Sequence, residues 1–216
     1  MKIELLDYFG NDLMIVNAAR VSFGKSKIEF DNKDEKLIKY LKEHKHTSVF
    51  RHPQLQFRIE CPIFVERQLF KHQIGWSANS ISGRYVDFSD SYYVVSQFRT
   101  QSTNSKQGSG GDLSDKNNKL ALQYYYEFIE ECKKTYDKLL ELGVSKEQAR
   151  MVLPLALNTQ FIWTGSLLAF FHLCELRLKP DAQKETRDLV KEMLKLVKNI
   201  EGNPFKHTLE AFNFPD

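Results

Sequence analysis

The sequence predicts an α+β protein with a helical core, folded as one domain over residues 1–216. Three observations lead there. Between Pro53 and Cys61, the apolar residues Leu55, Phe57, Ile59 and Cys61 alternate with Gln56, Arg58 and Glu60, the period of a half-buried strand. Over 34–44 and 119–142, apolar residues instead recur at helical spacing, with charge on the other face. A chain of 216 residues that is 42% hydrophobic and 27% charged has the means to bury a sizeable core.

The elements follow in order. Ile3, Leu5 and Tyr8 predict a strand over 2–8, and Asp12 is placed to cap a short helix from Leu13 to Ala19. Asp34 to His44 carries Leu37, Ile38 and Leu41 on one helical face. After the strand from Pro53 to Cys61, Pro62 suits the first position of a helix through Val65, Leu69 and Phe70. On that helix Gln68, Lys71 and His72 stand at i, i+3 and i+4 and share a face. Residues 101–118, with Gly108, Gly110 and Gly111, are polar and read as a mobile loop within the domain. A long helix is expected from Lys119 to Leu142, ended by Gly143. Ser145 with Gln148 has the form of a capping box for the next helix, which Pro154 interrupts. Asn158 to Leu178 is apolar nearly all round and reads as a central helix, stopped by Pro180. Asp181 is placed to cap a last helix to about Ile200.

Composition narrows the function. A net charge of +3 is too small to argue for a nucleic-acid polymer as partner. No apolar run reaches membrane-spanning length, and Met1 to Glu4 carries no apolar signal region. Cys61, Cys132 and Cys174 share no CxxC spacing and cannot all pair, which points to the cytoplasm.

Several groupings could carry chemistry. His44, His46 and His52 invite a metal reading, but no carboxylate or cysteine with ligand spacing lies beside them in the sequence. Packing or hydrogen bonding at a helix end accounts for them more simply, and no metal is assigned. The segment Arg67 to Gln73, then Ile74 to Tyr85, runs from a helix end into a Ser-, Asn- and Gly-containing loop closed by Arg84. Such a loop can turn N–H groups toward an anion while the arginine supplies a two-pronged donor, although a solvated turn has the same composition. Arg150 and Arg177 flank apolar stretches. If 158–178 is one helix, Ser166 and Arg177 lie within about 20° on its surface, with Leu168 and His172 roughly 120–140° away. Arg177 could equally serve its helix by satisfying the last carbonyls. None of the cysteines has a histidine base nearby in sequence, so burial suits Cys61 and Cys174 better than nucleophilic catalysis. Ser82 likewise has no activating base in sequence and reads as a phosphate contact.

Taken jointly, several segments resemble the flavin-dependent thymidylate synthase family. They are Asn17 to Phe23, His46 to His52, Pro62 to Gln68, Lys71 to Tyr85, Ala149 to Pro154, Phe161 to Thr164, Leu176-Arg177 with Ala182-Gln183, and the tail Phe205 to Phe212. The family signature is Arg-His-Arg, seven residues, then Ser; here it reads Lys71-His72-Gln73, eight residues, then Ser82, with Ser80 where a glutamate is common. The resemblance implies a helical core with an antiparallel sheet, assembled as a homotetramer whose sites mix subunits. It implies reductive methylation of dUMP to dTMP, with 5,10-methylenetetrahydrofolate as one-carbon donor and NADPH as hydride source through FAD. By the same resemblance, Ser48, Lys71, His72, Gln73, Ser166, Leu168 and His172 would contact FAD. Gln68, Lys71, Ser80, Ile81, Ser82, Gly83, Arg84, Arg150 and Arg177 would hold dUMP, with Arg177 catalytic. Two rival readings are a flavin- or nucleotide-binding homologue with altered catalysis, and a metal-dependent hydrolase built on the three histidines.

Overall fold

The computed structural model describes residues 1–85, 91–103 and 108–214. Its strands are β1 (Lys2–Phe9), β2 (Gln54–Pro62), β3 (Trp76–Ser80), β4 (Arg99–Gln101), β5 (Ser109–Asp112) and β6 (Asn158–Ser166). Four of them make an antiparallel sheet in the order β1-β2-β6-β3, and β4 and β5 form a separate hairpin. The helices are α1 (Asp12–Arg20), α2 (Asn32–Glu43), α3 (Ile63–Leu69), α4 (Asp115–Glu141), α5 (Lys146–Ala149), α6 (Leu167–Arg177), α7 (Lys184–Lys198) and α8 (Lys206–Phe212). The fold is α+β, as the sequence predicts.

At the centre, β2 and β6 pair along their whole length, from Gln54 opposite Ser166 to Pro62 opposite Asn158. Leu55, Phe57, Ile59 and Cys61 of β2 and Phe161 and Trp163 of β6 are buried together with Phe170 and Phe171 of α6 and Leu189, Val190 and Met193 of α7. One continuous apolar cluster thus joins the sheet to the C-terminal helices. No helix among the described residues is long and apolar enough to cross a membrane.

The largest departure from the sequence reading lies at 158–178, which is not one helix. Residues 158–166 are strand β6, and only Leu167 to Arg177 is helical. Along β6 the inward Thr159, Phe161 and Trp163 do alternate with Gln160, Ile162 and Thr164. Apolar Ile162 on the outer face blurs that period, and the strand passes into α6 without a glycine or proline between them.

Smaller corrections concern where elements start and stop and what caps them. Asp12 does not cap α1; Asn11 does, accepting the Met14 N–H at 2.9 Å. Asp12 is buried and accepts from the backbone of His207 at 2.7 Å and of Thr208 at 3.2 Å, tying α8 to α1. Pro62 is the last residue of β2 and caps α3 rather than opening it. Because α3 stops at Leu69, Lys71 and His72 lie beyond it and share no helical face with Gln68. Neither Ser145 nor Gln183, which precede α5 and α7, makes a side-chain capping bond, and α7 starts at Lys184 rather than at an Asp181 cap. Within the expected loop 101–118, Ser109–Asp112 pairs with β4 and α4 is already under way from Asp115; residues 104–107 lie outside the described residues.

Candidate active site

The site begins where α3 runs out. Phe70 ends the helix, the His72 N–H donates to Leu69 O at 2.9 Å, and the chain reverses at Gly75 with φ +79°. A Cβ there would approach Ser166 Oγ and Ala169 Cβ to 3.1 Å, so glycine is what allows this turn to press on the start of α6. The far end of α6 delivers Arg177. Its Nε–H donates to His72 Nε2 at 2.9 Å and its Nη2 to the backbone oxygen of Gln68 at 3.1 Å. Three residues singled out by sequence thus meet at one point: Gln68, His72 and Arg177.

Burial, then the Arg177 charge, then His172 push the His72 pKa down to about 4. The ring is therefore neutral at neutral pH, its Nε2 lone pair receives Arg177, and its proton sits on Nδ1. Burial also lowers the Arg177 pKa, but a guanidinium remains charged at any working pH. Both Nη1 hydrogens and one on Nη2 have no acceptor among the described residues.

Gln68 is gripped from the other side. Its Nε2 donates to Gln183 Oε1, and its Oε1 accepts the Thr186 hydroxyl at 3.1 Å. Gln183 Nε2 donates to Glu185 at 3.0 Å, and Arg99 donates to the other Glu185 oxygen at 2.7 Å. Sequence reasoning gave Gln183 no role and passed over Glu185, Thr186 and Arg99, because nothing periodic or motif-like marks them. Gln183, Glu185 and Arg99 also line a cavity of about 600 Å³ with Phe64, Tyr93 and Tyr125, and none of the candidate site residues lines it.

The remaining candidates lie apart from this group, some exposed and some buried. Ser80, at the end of β3, donates to Glu66 Oε1 at 3.4 Å, so α3 places a carboxylate beside it. Burial raises the Glu66 pKa against the opposing effect of that hydrogen bond. Ile81 N–H donates to Gln160 O at 2.8 Å, and Ser82 O accepts the Tyr85 N–H at 3.0 Å, closing a turn over buried Gly83. Arg84 lies exposed over the Tyr85 ring at 5.2 Å, and Arg150 is exposed with its Nε–H on Glu147 O at 3.2 Å. Neither bonds to the Gln68–His72–Arg177 group within the described chain. Ser48, Lys71, Gln73 and His172 are exposed, whereas Leu168 is buried. Ser166 and Arg177 lie at opposite ends of α6, at its N-cap and its last residue, roughly 16 Å apart by helical rise. Ser166 Oγ caps the helix by accepting the Ala169 N–H at 3.2 Å.

His44, of the histidine cluster, stacks on Tyr40 at 4.0 Å and shares its Nδ1 with Tyr40 O at 2.9 Å. The group with metal-ligand spacing among the described residues is a different one, Glu35, His207 and Glu210.

The family model described as thymidylate synthase complementing protein matches residues 4–201. A flavin-dependent thymidylate synthase of Thermus thermophilus is 42% identical over 196 residues, 91% of this chain and 71% of that protein. The chain belongs to the flavin-dependent thymidylate synthase family. A second member, from Thermosipho melanesiensis, is 40% identical over 91% of this chain and 85% of its own length. Among solved structures, the UMP/dUMP methylase PolB from Streptomyces cacaoi, bound with 5-Br dUMP, superposes with a TM-score of 0.85 at 28% identity, covering 98% of this chain and 94% of that one. In this thymidylate synthase family member the cysteines are buried and free, and burial pushes the Cys61 thiol up to about 12 and raises Cys132 and Cys174 as well. None offers a thiolate nucleophile at neutral pH.

Proposed function

We propose that this chain converts dUMP to dTMP by reductive methylation, with FAD, 5,10-methylenetetrahydrofolate as one-carbon donor and NADPH as the source of hydride. The observation that carries the reading is Arg177, fixed by His72 and Gln68 with three N–H groups that have no acceptor among the described residues. A pre-organised guanidinium acts best where negative charge appears during reaction, here on the uracil carbonyl as the ring is activated. Because His72 is neutral, it holds Arg177 without competing for that charge. Buried, protonated cysteines argue for a route that needs no thiolate.

Gln68, Lys71, Ser80, Ile81, Ser82, Gly83, Arg84, Arg150 and Arg177 would hold dUMP. The residues also fit a flavin dinucleotide. Ser48, Lys71, Gln73 and His172 are open polar groups, and Trp76 Nε1 is a buried donor with no acceptor among the described residues. With His72 they would hold FAD, while Ser166 and Leu168 set the start of the helix that carries His172. When bound, FAD supplies the hydride chemistry, and the protein supplies orientation and electrostatics. Ser82 Oγ meets only Arg84 among the described residues, at 3.4 Å from its backbone N, so it serves as a contact rather than a nucleophile.

Exposed Arg84 and Arg150 suit a site completed between copies of a cytoplasmic homotetramer. Leu120, Tyr124, Tyr126 and Phe128 of α4 expose apolar surface of the kind that self-association covers. Equilibrium dialysis with FAD, followed by assay of dTMP from dUMP with both co-substrates, tests the proposal. The expected result is a yellow protein that forms dTMP only when all components are present. No FAD binding at about 100 μM, a concentration that would fill any working flavoenzyme, overturns it.

A further inference from the structure

A glutamine side chain can offer its N–H or its oxygen to the same point with almost no change of shape. At Gln68 that choice is made by a charge some distance away. Glu185, buried at the start of α7, is acceptor-only when ionised. Burial works to raise its pKa, but the hydrogen bonds from Arg99, its own backbone and Gln183 outweigh this and hold it below the usual range. Arg99, on β4, donates through Nη2 to Glu185 Oε1 at 2.7 Å and through Nε to Ser109 Oγ at 2.7 Å.

From this charge each step leaves one arrangement. Glu185 Oε2 faces Gln183 at 3.0 Å, so Gln183 must present Nε2 to it and Oε1 to the other side. That oxygen meets Gln68, which must answer with its own Nε2. Gln68 Oε1 is then left facing Thr186, whose hydroxyl donates at 3.1 Å from a side chain without solvent exposure. We infer that Glu185 is a positioning residue for the nucleotide site, setting through Gln183 the direction in which the Gln68 amide faces, with Arg99 securing the Glu185 charge. The inference rests on the proposed role of Gln68 in holding dUMP. Gln68 keeps one N–H and one oxygen lone pair for the ligand, and the chain of bonds decides where each points.

The logic supplies its own control. Glu185→Gln replaces an acceptor-only group by one that can also donate, so both directions of the chain become available. Adding Gln183→Glu to that variant places an acceptor-only group directly beside Gln68, which must again answer with Nε2. The new amide at 185 can still give its oxygen to Arg99 and its N–H to position 183. Both variants lose the Arg99–carboxylate pair, so a purely structural role for Glu185 predicts the same defect in both.

Isothermal titration with dUMP, together with KM and kcat for dUMP, reads the effect. Glu185→Gln should weaken dUMP binding at least about 10-fold, and the Glu185→Gln/Gln183→Glu double variant should return to within about threefold of the starting protein. Gln183→Leu severs the link while leaving Glu185 on Arg99, and should itself weaken dUMP binding at least about 10-fold, a result that stands even if Glu185→Gln does not fold. Unchanged dUMP affinity in Gln183→Leu, or a double variant no better than Glu185→Gln, overturns the inference. A starting protein that binds no dUMP overturns the functional reading and this inference together, whereas normal binding with indifferent variants overturns this inference alone.

Discussion

Arg177 sits at the end of its own helix but serves another. It donates to Gln68 O in the last turn of α3, adding a charged donor to a carbonyl that otherwise has only the weak Lys71 N–H at 3.4 Å and the Phe70 cap, while its hydrogens without a partner among the described residues remain for a ligand. Arg177→Ala should lower dTMP formation at least about 100-fold, the scale of losing one transition-state donor. Single-turnover assay with pre-reduced flavin isolates that step, and product formed within about threefold of the unaltered protein would reduce Arg177 to a cap. The same substitution should raise the His72 pKa from about 4, because Arg177 is the second cause of its depression. Burial, the larger cause, keeps it under the ordinary 6.5; an NMR titration of the His72 ring reads both effects. A depressed histidine pKa also links to stability. Between pH 6.5 and about 4 the unfolded chain takes up the His72 proton while the folded chain resists it. This contribution is therefore fully present above pH 6.5 and is lost as pH falls through 4. In His72→Gln that part of the slope disappears, so its urea midpoint should fall less than that of the unaltered protein over this range.

Elements were legible where one face meets water and the other meets the core. Strand β2 alternates cleanly, and α2 and α4 carry their apolar residues at helical spacing. Strand β6 was hidden because it is flanked by β2 and β3 and keeps Ile162 on its outer face, which removes the contrast that reveals a strand. Strand β3 lies at the sheet edge with almost all its residues exposed, so no apolar pattern announces it. What holds β3 down is Trp76, stacked on Trp163 at 3.8 Å and lying across Gly165. A Cβ at Gly165 would fall 2.3 Å from the Trp76 ring. Gly165→Ala should therefore displace that ring and cost about 1–3 kcal/mol, the usual scale of overpacking. Urea denaturation measures it; an unchanged midpoint would show that Trp76 is free to swing aside.

Across the whole molecule, the site gathers the end of α3, the end of α6 and the start of α7. Family resemblance located Gln68, His72 and Arg177 because those residues sit in recognisable segments. It gave no role to the bonds from Gln183 through Glu185 to Arg99, since each depends on which side chains the finished fold brings together. Asp12 teaches the same lesson: it has the look of a helix cap, but its partners are almost the whole chain away at His207 and Thr208.

That long-range design has a cost during synthesis. Gln56 of β2 bonds to Thr164 of β6, 108 positions later. At ordinary translation rates of about 5–20 residues per second, β2 emerges roughly 5–20 s before the strand that covers its inner edge. Through that interval β2 has only β1 as a paired strand, and one edge of a two-stranded ribbon stands open to other nascent chains. The finished enzyme buries that edge at the centre of its sheet, whereas on the ribosome the same edge is open to any strand able to pair with it.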